Sequence, residues 1–229
     1  MAGGLMKYSL IYADPAWSYD NKGSRAAADK HYSTMTITDL KRLPVWELAA
    51  DDSVLVMWWV PPMPLEAIEL AEAWGFKVKN MCLFTWAKLN ERALDNLDRE
   101  LAGHHENVGA LDSLDFLELL NAQTRMGLGN YTRGNSESAL VAVKGRGLER
   151  LAGNVKQMIY APLGAHSAKP AEAIHRLERL YGDVPRIELF SRRAAPGWHR
   201  WGNESGSDAV QLIPGGVIHP ERWSHDNGS

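Results

Sequence analysis

Four consecutive residues, Asp14-Pro15-Ala16-Trp17, follow a short apolar segment and combine an acid, a fixed carbonyl and a large aromatic ring. Asp14 offers an ionised acceptor, and the ring of Pro15 restricts φ and so aims the proline carbonyl. Trp17 presents a broad π face. Together these groups suit a planar ring that bears an exocyclic amine: the two oxygens would each accept an N–H, and the indole would stack on the ring.

This arrangement predicts activation of an amine. An aromatic amine is a poor nucleophile because its lone pair is delocalised into the ring. Two acceptors favour the tetrahedral, electron-rich form that can attack. After the attack the nitrogen is positive and loses its proton easily, so no strong general base is required. The alternative for so short a motif is an ordinary turn with a buried tryptophan.

Strands and helices alternate around the tetrapeptide. Apolar runs that predict strands lie at residues 8–13, 51–60, 76–88, 137–145 and 186–192. Helices are predicted within residues 34–49, 63–75 and 169–182. Thr36 and Asp39 have the spacing of a capping box, and Gly75 and Gly182 supply helix ends. This alternation indicates a three-layer α/β fold with a mostly parallel sheet.

Ligands of such sheets bind beyond the carboxyl ends of the strands. The tetrapeptide at 14–17 and the segment 188–193 both follow predicted strands, so we expect them to share one crevice. Two stretches fall outside the pattern. Residues 89–126 are polar and predict an insertion with one helix at 113–123, and residues 205–229 predict a flexible tail. The prediction is therefore one domain, 1–204, that carries an insertion and precedes a tail.

Composition limits the function classes. The chain has 229 residues and a formal net charge of -3, so any nucleic-acid binding must use a local patch. Cys82 is the only cysteine, which excludes an internal disulfide and favours the cytoplasm. The longest apolar run, 54–63, is too short and too interrupted by proline to span a membrane. The neighbouring His104, His105 and Glu106 lack partner cysteines, so no metal site is predicted.

Eight segments carry more information than the tetrapeptide alone: YADPAW, KHYSTMT, LVMWWV, AWGFKVKNMCLFTWAK, GLGNYTRGNSESALVAVKGRG, HSAKPAEAIHRLERLYG, RIELFSRR and PGWHRWGNE. In this order they resemble the DPPW-motif adenine N6-methyltransferases, the family of the catalytic subunit that writes N6-methyladenine in messenger RNA. The resemblance covers most of the chain outside the insertion and the tail. It implies a Rossmann-like methyltransferase fold with permuted motif order, and S-adenosylmethionine as cofactor.

The resemblance also implies roles for individual residues. The catalytic set is Asp14, Pro15 and Trp17. The implied cofactor contacts are Asp14, Lys169, Glu188, Arg192, Asn203 and Glu204. Within that set, Lys169 would pair with the methionine carboxylate, Glu188 and Arg192 would line the ribose and methionine, and Asn203 and Glu204 would lie near the adenine and ribose. Lys169 also precedes a predicted helix, whose N-terminal dipole favours an anion.

Six further residues are predicted to contact the substrate: Tyr19, His31, Tyr32, Tyr131, Arg133 and Asn135. Tyr131, Arg133 and Asn135 lie in a loop whose glycines do not match a dinucleotide fingerprint. The alternative to substrate contact is that this loop is an ordinary turn leading into a strand. The sequence departs from the family in four places. Ala16 replaces a second proline, Ala194 and Ala195 replace a histidine and an asparagine of the messenger-RNA enzymes, and Glu204 replaces a glutamine. Ala194 and Ala195 remove two possible cofactor contacts, so weaker cofactor binding is expected, whereas Ala16 should only make the turn less rigid.

The expected function is methylation of the exocyclic N6 amine of adenine in DNA, as for compact bacterial or phage members of the family. The base would have to leave the stack to reach Asp14. Three alternatives stay open: an RNA adenine methyltransferase, a non-catalytic nucleic-acid-binding module of the same fold, and an enzyme for a small aromatic amine or nucleoside. No membrane partner is expected. The oligomeric state stays open, with a homodimer among the options.

Overall fold

The computed structural model describes residues 6–17, 35–106, 112–127, 129, 131–164, 168–191, 195–202, 211–213 and 216–218. The strands are β1 (Tyr8–Ala13), β2 (Ala49–Trp59), β3 (Lys77–Leu89), β4 (Ser136–Lys144), β5 (Met158–Pro162), β6 (Arg186–Leu189), β7 (His199–Trp201), β8 (Gln211–Ile213) and β9 (Gly216–Ile218). The helices are α1 (Ile37–Arg42), α2 (Val45–Leu48), α3 (Pro64–Ala73), α4 (Ala93–Glu106), α5 (Ser113–Ala122) and α6 (Ala171–Tyr181).

Within the described ranges, seven strands form one sheet in the order β5-β3-β4-β2-β1-β6-β7. Neighbouring strands are parallel except where β4 pairs antiparallel with β2 and with β3. The prediction of a mostly parallel sheet is therefore confirmed. Because β4 runs in the opposite direction, its first residues lie at the edge where the parallel strands end. That edge receives the residues that follow β1, β2, β3 and β6.

Helices cover both faces of the sheet, which gives the predicted three layers. Along β2, Leu55 and Met57 are buried in a core that also contains residues of α1, α2 and α3. The alternate residues Val54, Val56 and Trp58 are buried in a second core with residues of α6. This alternation follows from the period of two along a strand. β2 is thus covered on both sides, as its continuous apolar run predicts.

The predicted helix boundaries have the expected local causes. The Thr36 hydroxyl accepts a hydrogen bond from the Asp39 backbone N–H at 3.1 Å, which caps α1. Pro44 then separates α1 from α2 within the predicted segment. The glycines after α3 and α6 have φ of +83° and +70°, a conformation that glycine adopts without strain.

Several elements were not predicted. α4 lies in the insertion, where its sparse apolar residues are separated by charged ones, and only the second helix of this region was expected. β5 and β7 are short strands at the two edges of the sheet. Within the predicted tail, β8 pairs with β9, and Leu212 is buried in the core beside the helices α1, α2 and α3. In the described part of the chain no helix is long and apolar enough to cross a membrane.

Candidate active site

The tetrapeptide lies at the carboxyl end of β1, as predicted, and its local hydrogen bonds fix its shape. The Trp17 N–H donates to the Pro15 carbonyl at 2.8 Å, which closes a tight turn. A carbonyl oxygen has two lone pairs, so this bond leaves one for a second donor. The Trp17 indole N–H donates to the Trp58 carbonyl at the end of β2, at 3.2 Å. The indole is therefore oriented by a neighbouring strand.

Four charged side chains of alternating sign meet beside this turn. The Lys169 ammonium lies 2.7 Å from Asp14 Oδ2 and 3.2 Å from Glu137 Oε2. The Lys88 ammonium contacts Glu137 Oε1. Asp14 follows β1, Lys88 is near the end of β3, Glu137 is near the start of β4, and Lys169 just precedes α6. The fold thus brings four separate elements into one ion network with balanced charge.

The network changes the pKa of two of its members, Lys169 and Glu137. Burial disfavours the charged form of Lys169, but attraction to Asp14 and Glu137 outweighs this and raises the pKa of the ammonium. Burial likewise disfavours the charged form of Glu137, but the nearby Lys169 and Lys88 lower the pKa of its carboxyl. An opposite charge within a few ångströms favours the charged form of an ionisable group. Each ion therefore stabilises the charge of its neighbour.

Trp58 contacts two residues of the site, Lys169 and Trp17. It is 1% exposed, and its ring centroid lies 5.7 Å from the Lys169 ammonium, within reach of a cation–π interaction. Its own indole N–H donates to the Tyr12 hydroxyl at 2.6 Å. Trp58 thus positions both Lys169 and Trp17. The sequence predicted it only as part of an apolar strand, and gave no signal for Glu137 or Lys88 in the site.

Glu188 lies on β6, the strand beside β1. In the strand register it stands opposite Tyr12 of β1 and Arg200 of β7. The Ser191 hydroxyl donates a hydrogen bond to its carboxylate at 3.1 Å. Because β1 and β6 are parallel neighbours, Glu188 and Asp14 lie towards the same edge of the sheet. The other predicted cofactor contacts, Arg192, Asn203 and Glu204, fall outside the described residues.

The predicted substrate loop lies between the insertion and β4. Tyr131 and Arg133 are exposed on it. The Asn135 side-chain amide donates to the Thr124 hydroxyl at 3.3 Å, and its carbonyl accepts the Lys88 N–H at 2.8 Å. A side chain at Gly129 would place its Cβ 1.9 Å from the Thr132 carbonyl oxygen, so this close turn requires glycine. Asn135 therefore ties the loop to the strand that carries Lys88.

Three predicted substrate contacts, Tyr19, His31 and Tyr32, lie outside the described residues. Among the residues that are described, no three histidine, cysteine, aspartate or glutamate side chains cluster closely enough to hold a metal ion. The residues 104–106 are in the last turn of α4.

Known proteins share this arrangement of segments. The pattern of the MT-A70 family matches residues 8–107 and 117–204, which is most of the chain. This chain is a methyltransferase of the MT-A70 family. Its fold is accordingly the Rossmann-like methyltransferase fold, and membership implies S-adenosylmethionine as the methyl donor. The family prediction from the eight segments is confirmed.

Three relatives indicate the range of the family. The chain is 28% identical to the type II methyltransferase M.MunI of Mycoplasma sp, over 93% of this chain and 84% of the relative. It is 25% identical to the human N(6)-adenosine-methyltransferase catalytic subunit METTL3, over 98% of this chain and 32% of the relative. It is 26% identical to the human N(6)-adenine-specific methyltransferase METTL4, over 86% of this chain and 37% of the relative. The chain thus spans about a third of the length of the human relatives.

Proposed function

We propose that this MT-A70 protein transfers a methyl group from S-adenosylmethionine to the exocyclic N6 amine of adenine in DNA. The observation that carries the proposal is the Asp14 carboxylate, which Lys169 holds at the end of β1 beside an oriented Trp17. The choice of N6 is supported by the names of two relatives, an N(6)-adenosine and an N(6)-adenine-specific methyltransferase.

The described residues fit the amino-acid end of the cofactor. An ammonium has three N–H donors, and the contacts of Lys169 with Asp14 and Glu137 use two of them. The third suits a carboxylate, and the adjacent Asp14 suits the amino group of the same zwitterion. We assign Glu188 to the same ligand, together with Arg192, Asn203 and Glu204. When bound, the cofactor supplies an electrophilic methyl group on a sulfonium.

The remaining groups act on the amine. Lys169 contacts Oδ2 of Asp14, which leaves Oδ1 to accept one N–H of the substrate. The free lone pair of the Pro15 carbonyl accepts the other, and Trp17 stacks on the flipped base. Acceptors aimed at a developing charge typically contribute about 3–4 kcal/mol to the transition state. The amine proton becomes acidic once the nitrogen is methylated, so no strong general base is needed.

DNA is the proposed substrate, and the cytoplasm the proposed location. The support for DNA is the match to M.MunI, which extends over most of both chains, whereas METTL3 and METTL4 are much longer proteins. We place Tyr19, His31, Tyr32, Tyr131, Arg133 and Asn135 against the target nucleotide. Arg133 is exposed on the loop beside the network and suits a phosphate.

The test is identification of the product. The protein is incubated with cofactor that carries an isotope-labelled methyl group and with DNA and RNA oligonucleotides of matched sequence. After digestion, mass spectrometry should find labelled N6-methyl-2′-deoxyadenosine. Label in the ribonucleoside alone would refute DNA as the substrate. Label in neither, with nucleic acid still bound, would instead favour a non-catalytic binding module.

A further inference from the structure

Glu137 is a part of the site that neither the tetrapeptide nor the family resemblance singles out. Its carboxylate contacts the ammonium groups of two lysines, Lys88 and Lys169. All three side chains are largely buried, with exposed fractions of 24%, 21% and 13%. Glu137 reaches the carboxyl edge of the sheet only because β4 runs antiparallel to its neighbours.

Glu137 restricts the position of the Lys169 ammonium. A lysine side chain has a flexible four-carbon stem, so one contact with Asp14 does not fix its ammonium. Glu137 adds a second carboxylate on a different strand, and the ring of Trp58 adds a third contact. The ammonium of Lys169 is thereby held between two carboxylates over an aromatic face.

Glu137 also balances the charge. With it, Asp14 and Glu137 offset Lys88 and Lys169. Without it, one carboxylate would face two cations in a partly buried site, where like charges repel more strongly than in water. Lys88 would then compete with Lys169 for the remaining anion.

We propose that Glu137 is a positioning residue for methyl transfer, which keeps the Lys169 ammonium charged and directed at Asp14. The inference rests on the proposed function, because it assumes that Asp14 and Lys169 act on substrate and cofactor. The role requires no contact between Glu137 and either ligand. Substitution of Glu137 should therefore change the titration of Lys169, which loss of stability alone would not do.

The direction of that change follows from the groups that face Lys169. Among the described residues these are Asp14 after β1, Glu137 of β4, the Trp58 ring of β2, and Lys88 of β3, which contacts Glu137. Glu137→Gln removes one of two carboxylates and leaves Lys88 without its partner. Both effects disfavour the ammonium, so its pKa falls and the charged form is lost at lower pH.

The experiment measures this titration directly. Lysine labelled at the side-chain nitrogen, with the Lys169 signal assigned by its loss in Lys169→Arg, reports the pKa by NMR in the full chain without cofactor. Glu137→Gln should lower that pKa by about one unit or more. Adding Lys88→Gln to Glu137→Gln removes the repelling charge and should recover part of the shift. Glu69→Gln, which breaks the exposed pair with Lys41 between α1 and α3, is the matched control and should leave the pKa of Lys169 unchanged.

The pH profile of methyl transfer supplies the second readout. In Glu137→Gln the alkaline limb of this profile should move to lower pH by as much as the pKa of Lys169 falls. In the double variant with Lys88→Gln, the limb should move part of the way back. A lower rate with an unmoved limb and an unchanged Lys169 pKa would overturn the proposal. Should Glu137→Gln fail to fold, Lys88→Gln and the double variant give the same comparison. The NMR result stands even if the parent protein methylates no substrate, so the two proposals fail separately.

Discussion

Two side chains that follow β1, those of Asp14 and Trp17, are held by hydrogen bonds to other parts of the protein. Lys169 is bonded to Asp14, and Trp17 is bonded to the Trp58 carbonyl. Groups that are fixed in this way need no reorganisation when charge develops in a reaction, and such preorganisation is a large part of electrostatic catalysis. Single substitutions at these positions should therefore affect neighbours as well as ligands.

Substitution of Trp17 tests this preorganisation at one side chain. The motif alone requires only a π face, whereas the structure adds a hydrogen bond from the indole N–H. Trp17→Phe keeps the face and loses a bond worth about 0.5–1.5 kcal/mol, so we expect a roughly 2- to 13-fold fall in kcat/KM. Trp17→Ala also loses a base–aromatic stack of about 1–3 kcal/mol and should fall further. Equal kcat/KM values for the two variants in steady-state kinetics would mean that Trp17 serves only to pack the site.

Lys169 tests the cofactor contact. Lys169→Met keeps the stem and removes the charge, and a charge-assisted hydrogen bond is worth about 1.5–3 kcal/mol. Calorimetry should therefore show a roughly 10- to 140-fold higher Kd for the cofactor, by the usual factor of ten per 1.4 kcal/mol. Lys41→Met, which removes the same charge from an exposed pair between α1 and α3, is the control. Equal cofactor affinity in the two variants would remove Lys169 from the cofactor site.

At the level of elements, apolar runs predicted the central strands but not their directions. The run at 137–145 predicts a strand, yet nothing in it says that β4 is antiparallel. Direction decides which end of β4 reaches the active edge, so the role of Glu137 could not be predicted. The helices α3 and α6 were predictable because apolar spacing and a terminal glycine agree. α4 has sparse apolar residues among many charges, and β5 and β7 are short edge strands.

α5 carries large apolar side chains that the fold leaves exposed. Leu114, Phe116 and Leu117 are 69%, 44% and 58% exposed, and among its described residues none is buried. The insertion at 89–126 joins β3 to β4 beside the ion network, and Arg125 N–H donates to the Lys88 carbonyl. We propose that this exposed apolar face contacts the DNA and helps to choose the site, since apolar side chains that enter a groove can wedge between bases.

Substitution of that face tests its role. Leu114→Ser with Leu117→Ser should weaken DNA binding or change site preference by about tenfold or more, because burying a leucine contributes roughly 1.5–3 kcal/mol. Cofactor affinity should not change. The control is Leu151→Ser, compared with Leu114→Ser alone, because Leu151 is 68% exposed against 69% for Leu114 and lies between β4 and β5. A doubly substituted α5 that keeps the parent's DNA affinity and site preference would exclude the insertion from recognition.

For the whole molecule, charge is unevenly distributed. Residues 89–126 contain eight acidic and three basic side chains, a formal charge of -5, while the entire chain has -3. The rest of the chain therefore carries +2. Contacts with phosphates should fall mainly on that remainder, and we expect the insertion to read base edges or shape. This distribution could be computed from the sequence, but its relation to the site required the fold.

The ion network also predicts how stability depends on pH. Glu137 has a lowered pKa in the folded chain, so it contributes stability above its ordinary value of 4.5 and loses it as pH falls through the folded value. The difference in Tm between the parent and Glu137→Gln should be largest near neutral pH and shrink below pH 4.5. Each kcal/mol corresponds to about 2–4 °C for a chain of this size. A difference that stays constant into acid would mean that the carboxylate is not stabilised by folding.

The central claim is that the Asp14 carboxylate drives methyl transfer to an adenine amine. The most direct test is single-turnover transfer to a DNA oligonucleotide at saturating cofactor, so that cofactor affinity cannot limit the rate. Asp14→Asn should slow the chemical step by about 10²–10³-fold, as for loss of one preorganised polar group. Asp52→Asn, which removes a carboxylate paired with Arg146 at the opposite end of β2, should react like the parent. Transfer by Asp14→Asn at the parent's rate would contradict the account.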